Sequence, residues 1–476
     1  MSTLYTPREW QKPLSQHILD LPRCNVFAKP GMGKTSATLA ALQMRGLTED
    51  SFPALVIGPP RVANTVWSSE VDRWARFKGF KVAKVLGTAD QRKKALSSGA
   101  DIFTIHYGLL TWLVETLGGR WPFKTVVADE SSRLKNTRAH FRTTKEGQKL
   151  VVQGGSKNAG ALARAAKATP YWVNLTGTPS SNGLQDLYGQ HWFIDFGASL
   201  GSSYSAFIAR WFYQKRGTSA EQAVFLPYDH AFGEITERMR PCTLSLDPRD
   251  WFDIAEPRVV DIPVQLSAPV MKKYKQLQSD LVLEFGDDHR VTAANAAVVV
   301  NKLLQIASGH VYKNEGGAEW VHDEKLDALE SLYESLSGAP LIVAYNFTAD
   351  RDAILRKFPE ARLLGKGAQQ KATEDAWNAG KIPMLLLNPA SAGHGLSLQH
   401  GGCDLCFYST GWDAELYEQV IERIGPMRQM QSGYNRVVSV YRLLTKGTYD
   451  EIAADTVAGK ITLQEAVMAV FKDATK

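Results

Sequence analysis

The stretch AKPGMGKT, residues 28–35, decides how the rest of the chain is interpreted. An apolar run over 25–28 leads into it, and a helix-like run over 35–45 follows it. A phosphate-binding loop requires this order of strand, glycine turn and helix. Gly31 and Gly33 carry no Cβ, so the backbone can curl and direct its N–H groups at phosphate oxygens. The sequence therefore predicts a phosphate site at the start of this helix, where the helix dipole adds positive charge.

Side chains in and near this stretch predict nucleotide chemistry. Lys34 is expected to reach the β- and γ-phosphates, and the Thr35 hydroxyl is expected to ligate Mg²⁺. Gln11 lies in a predicted helix over 7–21, and its amide can read both the donor and the acceptor of an adenine edge. Ala28 replaces the glycine that usually opens such loops, but it keeps a small side chain. The residues expected to contact the nucleotide are Gln11, Gly31, Met32, Gly33, Lys34, Thr35 and Ser36.

Length and composition bound the class of protein. The 476 residues are 44% hydrophobic and 22% charged, which is ordinary globular usage and enough chain for two or three domains. A formal charge of +6 permits a polyanionic partner without requiring one. Four scattered cysteines are too few for a disulfide framework and favour a reducing, cytoplasmic compartment. The N-terminus lacks a signal-peptide pattern, and no apolar run approaches membrane-spanning length, so we expect no membrane partner.

Short apolar runs alternate with helical patterns along the first half of the chain. The runs are predicted strands at 54–57, 101–105, 125–128 and 171–175. Such alternation indicates a parallel sheet, in which ligands bind beyond the carboxyl ends of the strands. We therefore expect the polar or glycine-containing stretches that follow these strands to share one edge of the sheet with the phosphate loop.

Two adjacent carboxylates, Asp129 and Glu130, follow the predicted strand at 125–128. The first can hold Mg²⁺ through water, and the second can orient and partly deprotonate an attacking water. An Asp-Glu pair alone is usually solvated surface. Because this pair follows a buried strand downstream of a phosphate loop, we predict Asp129 as a metal residue and Glu130 as a catalytic residue.

Residues 133–167 carry nine basic side chains against one acidic side chain, Glu146. Glycines and polar residues interrupt them, so the segment is predicted to be a basic loop that grips a phosphate backbone. A solvated, mobile loop is an equally good interpretation, because basic runs are often no more than that.

The middle of the chain is first aromatic and then helical. Most rings in 183–255 are expected to form a core stripe, and helices are predicted at 271–285 and 291–306. A second alternating set has predicted strands at 341–344, 361–364, 384–388, 405–408 and 436–443. It predicts a second parallel sheet that lacks a phosphate loop.

An ordered series of motifs resembles the superfamily 2 helicases and translocases, and most closely the small SWI/SNF-type ATPases that bacteriophages encode. In the first half the series consists of Gln11, AKPGMGKT, GPPRV (58–62), DESSRLKN (129–136) and LTGTPSSN (175–182). The second half adds KLLQIASG (302–309), LIVAYNF (341–347), NPASAGHGLSLQ (388–399), QVIERIGPMRQ (419–429) and VYRLLTKGTYDE (440–451). The series follows the order of the family along nearly the whole chain, which makes the resemblance specific.

The resemblance implies an α/β fold of two RecA-like lobes with a helical linking and insertion region between them. The expected divisions are 1–182, 183–324 and 325–476, with final helices at 449–458 and 462–471. ATP and Mg²⁺ are the implied ligands, and the second lobe is expected to close over ATP held by the first. The residues implied to contact nucleic acid are Pro60, Arg61, Tyr107, Lys135, Arg138, Ser180, Asn346, Ser391, Gly393, His394 and Gly395.

One block departs from the family pattern. The family usually has two arginines three residues apart, but here Arg423 is followed by Pro426, and Arg428 lies two residues later. A proline redirects the backbone and ends a helix. We expect Arg423, either with Arg428 or alone, to stabilise charge at the γ-phosphate, where an arginine contributes roughly 10³ to 10⁵ in rate.

Together these features predict a DNA-dependent ATPase, a helicase or translocase that moves along or remodels DNA. We expect a monomer in the cytoplasm, or in the host cytoplasm if a phage encodes the chain. Single-stranded, duplex and branched DNA are all compatible with the sequence. An ATP-gated nucleic-acid clamp with little hydrolysis remains open because of Pro426, and so does an RNA remodeller. A P-loop kinase is disfavoured by the second sheet and by LTGTPSSN.

Overall fold

Two parallel sheets each organise an α/β unit of their own. The computed structural model divides the chain into Met1–Asp253 and Ile254–Lys476. The predicted α/β class, with parallel sheets in two RecA-like lobes, is confirmed. The structure describes residues 3–143, 149–152, 154–180, 183–214, 225–252, 254–286, 293–313, 316–365, 367–392 and 396–459, and the predicted helix at 462–471 lies outside them.

Seven parallel strands form the sheet of the first unit. The strands of this unit are β1 (Arg23–Ala28), β2 (Ala54–Gly58), β3 (Val82–Lys84), β4 (Ile102–His106), β5 (Thr125–Asp129), β6 (His140–Thr143), β7 (Lys149–Val152), β8 (Tyr171–Thr176), β9 (Phe212–Gln214), β10 (Phe225–Pro227) and β11 (Thr243–Leu246). The sheet order is β11-β1-β8-β5-β2-β4-β3. Strands β6 and β7 form an antiparallel hairpin, as do β9 and β10. The four strands predicted after the phosphate loop are confirmed as β2, β4, β5 and β8.

Helices accompany this sheet and bury its strands. They are α1 (Gln11–Asp20), α2 (Lys34–Thr48), α3 (Trp67–Arg73), α4 (Ala89–Leu96), α5 (Leu110–Leu117), α6 (Lys157–Lys167), α7 (Gln185–Asp195), α8 (Tyr204–Trp211) and α9 (Ala231–Met239). Every residue of β2 and β5 is buried, which is typical of parallel strands covered on both faces. Trp172 of β8 stacks on Phe193 of α7 with ring centroids 4.7 Å apart. The rings between 188 and 212 form the predicted core stripe, and six of these eight are buried. The stripe does not extend through the rest of 183–255, because Tyr213, Tyr228, Phe232 and Trp251 are exposed.

The segment 133–167 is not the loop that its composition predicted. A short 3₁₀ turn, Ser131–Leu134, leads into the β6–β7 hairpin and helix α6. Helix α6 is rich in alanine, which favours helix, and it buries Leu162 and Ala166 beside α5. Local helix propensity and apolar spacing therefore outweigh the basic and polar residues that suggested a loop.

The sheet of the second unit contains six parallel strands. The strands of this unit are β12 (Arg258–Val264), β13 (His310–Tyr312), β14 (Ala318–Trp320), β15 (Leu341–Ala344), β16 (Arg362–Leu363), β17 (Met384–Leu387), β18 (Asp404–Phe407) and β19 (Ser439–Thr445). The sheet order is β12-β19-β18-β15-β17-β16, and β13 pairs with β14 outside it. All five predicted strands of the second sheet are present, although β19 begins three residues later than the sequence suggested.

Helices also flank the second sheet. They are α10 (Ala268–Gly286), α11 (Ala293–Ala307), α12 (Glu324–Ser335), α13 (Thr348–Lys357), α14 (Ala368–Asn378), α15 (Pro389–Ala392), α16 (Ala414–Ile421), α17 (Pro426–Gln431) and α18 (Tyr449–Val457). The helices predicted at 271–285, 291–306 and 449–458 correspond to α10, α11 and α18. Lys325 of α12 pairs with Asp450 of α18 at 2.5 Å, and both side chains are 1% exposed. Such a buried pair fixes the two helices relative to each other.

The region 183–324, predicted as a separate link, is divided between the two units. Strand β11 pairs with β1 in the first sheet, and β12 pairs with β19 in the second. The division therefore falls after residue 253 instead of at 182 and 324. Both strands lie at the edges of their sheets, where exposed positions weaken the apolar pattern on which the predicted divisions depended.

Burial keeps the cysteines of the two sheets inert. All four cysteines are free, and burial raises the pKa of the Cys24 thiol to about 12. Cys406 lies in β18, where burial also raises its pKa, so both residues act as small core side chains. Among the described residues, no helix is both long and apolar enough to cross a membrane.

Candidate nucleotide-binding site

The phosphate loop turns sharply between β1 and α2. Gly31 and Gly33 have φ angles of 88° and 69°, in the left-handed region that other residues rarely adopt. Gly33 is the N-cap of α2, and a Cβ there would lie 2.2 Å from Gln11 Nε2. The turn thus needs glycine at position 33 for its conformation and for space. The first turn of α2 offers backbone N–H groups to an anion.

The ammonium group of Lys34 lies at this turn. Its Nζ donates to the backbone oxygens of Ala28, at 2.5 Å, and Lys29, at 3.4 Å. Thr35 and Ser36 follow in the first turn of α2, and Ser36 is buried. The structure therefore brings the predicted lysine and the predicted hydroxyl to the same end of one helix.

Gln11 begins α1 and is buried against the phosphate loop. Its Oε1 accepts from the backbone N–H of Arg8 at 2.9 Å. Its Nε2 donates to Gly33 O at 3.1 Å and to Ser36 Oγ at 3.0 Å. The loop thus orients the amide, and adenine recognition by Gln11 stays a prediction.

The carbonyl of Met32 is held by an indole that sequence reasoning left without a role. Met32 is fully buried, and its oxygen accepts from Trp10 Nε1 at 3.1 Å. The Trp10 ring packs edge-on against Phe252, with centroids 4.5 Å apart. Because Trp10 and Met32 are 22 residues apart, no local pattern shows this bond.

Asp129 ends β5 as a nearly buried carboxylate, 8% exposed. Its Oδ2 accepts from the Trp67 indole N–H at 2.9 Å. Burial raises the pKa of Asp129, and the Trp67 hydrogen bond and the Lys34 charge offset part of that rise. The charge of Lys34 therefore acts on this carboxylate. Trp67 and Asp129 are 62 residues apart, so the sequence offers no local signal for this contact.

Glu130 occupies a strained backbone conformation. Its φ angle is 59°, which costs a residue with a Cβ about 1–2 kcal/mol. The Tyr107 hydroxyl donates to the carbonyl oxygens of Asp129, at 3.0 Å, and Glu130, at 3.2 Å. Neighbouring groups therefore hold the turn in place, and strain of this kind is often found at functional sites. Tyr107, predicted to contact nucleic acid, supports the carboxylate turn here.

The donors at this edge fit Mg²⁺. Asp129 offers a carboxylate oxygen and Thr35 a hydroxyl oxygen, which are the hard ligands that this ion prefers. Within the described ranges there is no group of three or more His, Cys, Asp or Glu that could hold a metal. The set suits an ion that completes its shell with water and phosphate oxygens. Metal binding by Asp129 and Thr35 stays a prediction.

Two more strand-end stretches lie at the carboxyl edge of the first sheet. After β8, a Cβ at Gly177 would lie 3.0 Å from Pro30 Cδ, so this stretch packs directly on the loop. Ser180 follows it and is exposed. After β2, Pro60 is exposed and Arg61 is the N-cap of a π-helical turn over 62–66. Pro60, Arg61 and Ser180 thus lie beyond the carboxyl ends of their strands, as predicted.

Lys135 and Arg138 are engaged inside the first unit. Lys135 Nζ lies 3.4 Å from Asp186 Oδ2. The guanidinium of Arg138 lies 3.5 Å from the centroid of the Tyr204 ring and donates to the backbone oxygen of Lys135. These contacts give both residues a structural role, and their contact with nucleic acid stays a prediction.

The second unit brings Asn346 and Ser391 together through Asn388. Asn346 follows β15, and its Nδ2 donates to Ser409 O at 2.6 Å. Asn388 Nδ2 donates to Tyr345 O at 3.1 Å, and Ser391 Oγ donates to Asn388 O at 2.9 Å. These residues lie at the carboxyl edge of the second sheet. The predicted contacts Gly393, His394 and Gly395 lie outside the described residues.

The arginine block is divided between two helices. Helix α16 ends at Ile421, and Pro426 opens α17, so the proline interrupts the block as expected. Arg423 is 4% exposed, and its Nε donates to Gln419 O at 2.9 Å. Arg428 Nη1 donates to Leu396 O at 2.9 Å and to Ser397 Oγ at 3.1 Å. The structure therefore engages Arg428 with the residues that precede β18.

Comparisons with known proteins identify relatives of this chain. A family model described as SNF2-related domain matches residues 24–223. Protein p41 of Acyrthosiphon pisum secondary endosymbiont phage 1 is 42% identical over 473 residues, which cover 98% of this chain and 99% of that protein. This similarity spans both units, including the residues beyond the matched domain.

More distant relatives are much longer than this chain. The uncharacterized ATP-dependent helicase MG018 of Mycoplasma genitalium is 22% identical over 88% of this chain and 38% of its own length. The chromodomain-helicase-DNA-binding protein 1-like of Danio rerio is 23% identical over 94% of this chain and 42% of its own length. The chain thus spans less than half of either relative.

A solved structure is also similar. The Sulfolobus solfataricus SWI2/SNF2 ATPase core in complex with dsDNA matches with a TM-score of 0.42 and 20% identity, over 98% of this chain and 92% of that one. A likeness of this degree supports no conclusion about ligands. The identity to p41 along almost the whole chain and the match to the SNF2-related domain do support a conclusion about descent: the chain belongs to the SNF2-related family.

Proposed function

We propose that this chain is an ATP hydrolase that couples hydrolysis to movement along DNA or to its remodelling. One observation carries the proposal: the phosphate loop with Lys34 and the carboxylates Asp129 and Glu130 lie at the same edge of the first sheet. This combination supplies both a cradle for phosphates and a carboxylate for water.

The residues of the first unit would divide the chemistry between them. N–H groups from the turn at Gly31 and Gly33 would bind phosphate oxygens, and Lys34 would exchange its bonds to Ala28 O and Lys29 O for the β- and γ-phosphates. Mg²⁺, when bound, would neutralise phosphate charge. Glu130 would orient the attacking water. The hydrogen bonds from the Tyr107 hydroxyl to the backbone oxygens of Asp129 and Glu130 would help to keep its carboxylate in position.

Arg423 is the residue that we propose to stabilise charge on the departing phosphate. Arg428 already donates to Leu396 O and Ser397 Oγ, so its use at a phosphate would leave these acceptors without a partner. Arg423 therefore acts alone in this proposal.

DNA is the proposed partner of the exposed strand-end stretches. Pro60 and Ser180 at the first sheet, and Asn346 and Ser391 at the second, follow carboxyl strand ends, where ligands bind in parallel sheets. The formal charge of +6 suits a polyanion. We propose a monomer that works in the cytoplasm.

Steady-state phosphate release tests the proposal. Lys34→Ala and Glu130→Gln should each lower ATP turnover by at least about 10²-fold, since each removes a group that acts at the reacting phosphate. Lys371→Ala is the matched control, because this exposed lysine pairs with its helix neighbour Asp375 in the second unit. Unchanged turnover in both site variants would refute the site. Single-stranded, duplex, forked and branched DNA, and RNA of equal length, should be compared as activators.

One observation favours a second candidate, an ATP-gated nucleic-acid clamp. Pro426 breaks the arginine block, and Arg428 is engaged elsewhere, so charge stabilisation during hydrolysis rests on one arginine. A clamp would bind DNA more tightly with ATP while releasing little phosphate. Strong stimulation of phosphate release by DNA excludes the clamp.

A further inference from the structure

A glutamine outside every motif joins two functional stretches of the first unit. Gln190 of α7 is 1% exposed, and its side chain bonds in two directions. Its Oε1 accepts from Ser131 Oγ at 2.9 Å. Its Nε2 donates to Pro179 O at 2.6 Å and to Asp186 O, one helical turn back, at 3.0 Å.

The two ends of this bridge have distinct positions. Ser131 directly follows Glu130, the strained residue proposed to orient water. Pro179 directly precedes Ser180, which is exposed at the end of β8 and predicted to contact nucleic acid. A single buried side chain therefore connects the carboxylate turn with the stretch where DNA is expected.

The backbone of α7 also lies unusually close to the carboxylate turn. A Cβ at Gly189 would lie 2.3 Å from Lys135 O and 2.6 Å from Leu134 O, so only glycine allows this approach. The turn Ser131–Leu134 thus rests directly on the helix that carries Gln190. Close packing and buried hydrogen bonds resist independent movement of the joined parts, because a buried polar group without a partner is costly.

We infer that Gln190 is a positioning residue that transmits the state of the stretch at 176–180 to Glu130. A shift of Pro179 when DNA binds would pull on Nε2, and Oε1 would carry that shift to Ser131. This inference rests on the proposed function, and it identifies which internal contact makes hydrolysis respond to DNA.

Gln190→Met tests the inference, since methionine keeps the length of the side chain and removes all three hydrogen bonds of the amide. We expect the DNA-stimulated kcat to fall about five- to tenfold, with KM for ATP changed less than about twofold, because only a coupling contact is lost. Gln185→Met on the same helix is the matched control. Its Nε2 donates to Phe225 O, away from the carboxylate turn, so stimulation should equal that of the unaltered chain.

Two narrower variants separate coupling from folding. Gln190→Glu keeps an acceptor for Ser131 but loses the donor to Pro179 O and Asp186 O, and Ser131→Ala loses only the bond from Ser131 Oγ. Both should reduce stimulation while binding of a fluorescent ATP analogue and the melting temperature stay near the unaltered values. If the unaltered chain is not stimulated by DNA, the proposed function fails. If it is stimulated, and folded Gln190→Met or Gln190→Glu keeps the full effect, the inference alone is overturned.

Discussion

The Trp67 indole donates a 2.9 Å hydrogen bond to the carboxylate of Asp129, across 62 residues of sequence. The acceptor is buried, and burial raises its pKa. The bond therefore stabilises the ionised carboxylate in a place that disfavours charge, and it fixes which oxygen remains for a cation. The first residue of α3 thus supports the proposed metal site.

Trp67→Phe should weaken Mg²⁺ binding at the proposed metal site while leaving the fold intact. Loss of a hydrogen bond to a charged group corresponds to about 1.5–3 kcal/mol, so the Mg²⁺ concentration for half-maximal ATPase should rise about tenfold or more. Trp74→Phe is a matched control, because its indole donates to Glu70 Oε2 at 2.7 Å, a carboxylate outside the site. Equal Mg²⁺ dependence in the two variants would contradict the assigned role of Trp67.

Gly33→Ala should impair nucleotide binding more than its backbone strain explains. The new Cβ would collide with Gln11 Nε2 and displace an amide that bonds to Gly33 O and Ser36 Oγ. We expect the Kd for ATP to rise about tenfold or more, as for the loss of a buried hydrogen-bond network. Gly99→Ala controls for strain, since Gly99 has a φ of 64° with open space around it. An equal rise in Kd for both variants would mean that Gln11 is irrelevant.

Arg423→Ala and Arg428→Met should fail in different ways. Removal of Arg423, which is proposed to stabilise phosphate charge, should lower kcat per folded molecule about 10³-fold, far beyond the effect of losing its bond to Gln419 O. Removal of Arg428 should mainly destabilise the second unit, because Leu396 O and Ser397 Oγ lose their buried donor. Its kcat per folded molecule should fall less than tenfold. A well-folded Arg428→Met with a 10³-fold loss of kcat would transfer the catalytic role to Arg428.

A buried ion pair should make the stability of the first unit depend on pH. His191 of α7 is fully buried, with Nε2 3.3 Å from Asp195 Oδ2. Burial acts to lower the pKa of His191, but Asp195 and Cys242 outweigh it and raise the pKa to about 9. Burial likewise acts to raise the pKa of Asp195, but His191 and Ser199 lower it to about 2. The charged pair is therefore favoured in the folded chain.

The sign of the effect follows from these directions. An unfolded histidine has a pKa of about 6.5, so the contribution of His191 is complete below that pH and is lost as the pH rises through about 9. The contribution of Asp195 is present above the ordinary pKa of an aspartate, 3.8, and is lost as the pH falls through about 2. Urea unfolding should show a loss of about 2–3 kcal/mol between about pH 6 and pH 10 that His191→Gln removes. If the free energy of unfolding changed equally with pH in the unaltered chain and in His191→Gln, the pairing of His191 with Asp195 would be refuted.

The sheets were predictable wherever a strand is a continuous apolar run. Strands β2, β5 and β15 are buried at every position, and their sequences show it locally. Strands β11 and β12 join the sheets at edges, and their pairing depends on partners far along the chain, so the sequence did not show that they belong to different units. Helix α6 shows the opposite error, because basic residues concealed an alanine-rich helix.

The candidate site divides in the same way. Residues that act through backbone shape or terminal position, such as Gly33, Lys34 and Asp129, follow from motif spacing. Residues that act through distant partners do not: Trp67 and Gln190 reach acceptors and donors that only the folded chain brings near. Sequence alone offers no signal for such contacts, since a buried glutamine or tryptophan in a helix usually has another role.

The pairing of β11 with β1 has a consequence for how the protein is made. Strand β1, which precedes the phosphate loop, has been synthesised once residue 28 is added, but its partner at the sheet edge, β11, consists of residues 243–246. While the ribosome synthesises the intervening half of the chain, the backbone donors and acceptors on that side of β1 remain uncovered, and uncovered strand edges attract other chains. A fragment that ends at residue 182 would keep this edge of β1 unpaired and prone to aggregate, whereas a fragment that ends at residue 253 would include β11 and cover it.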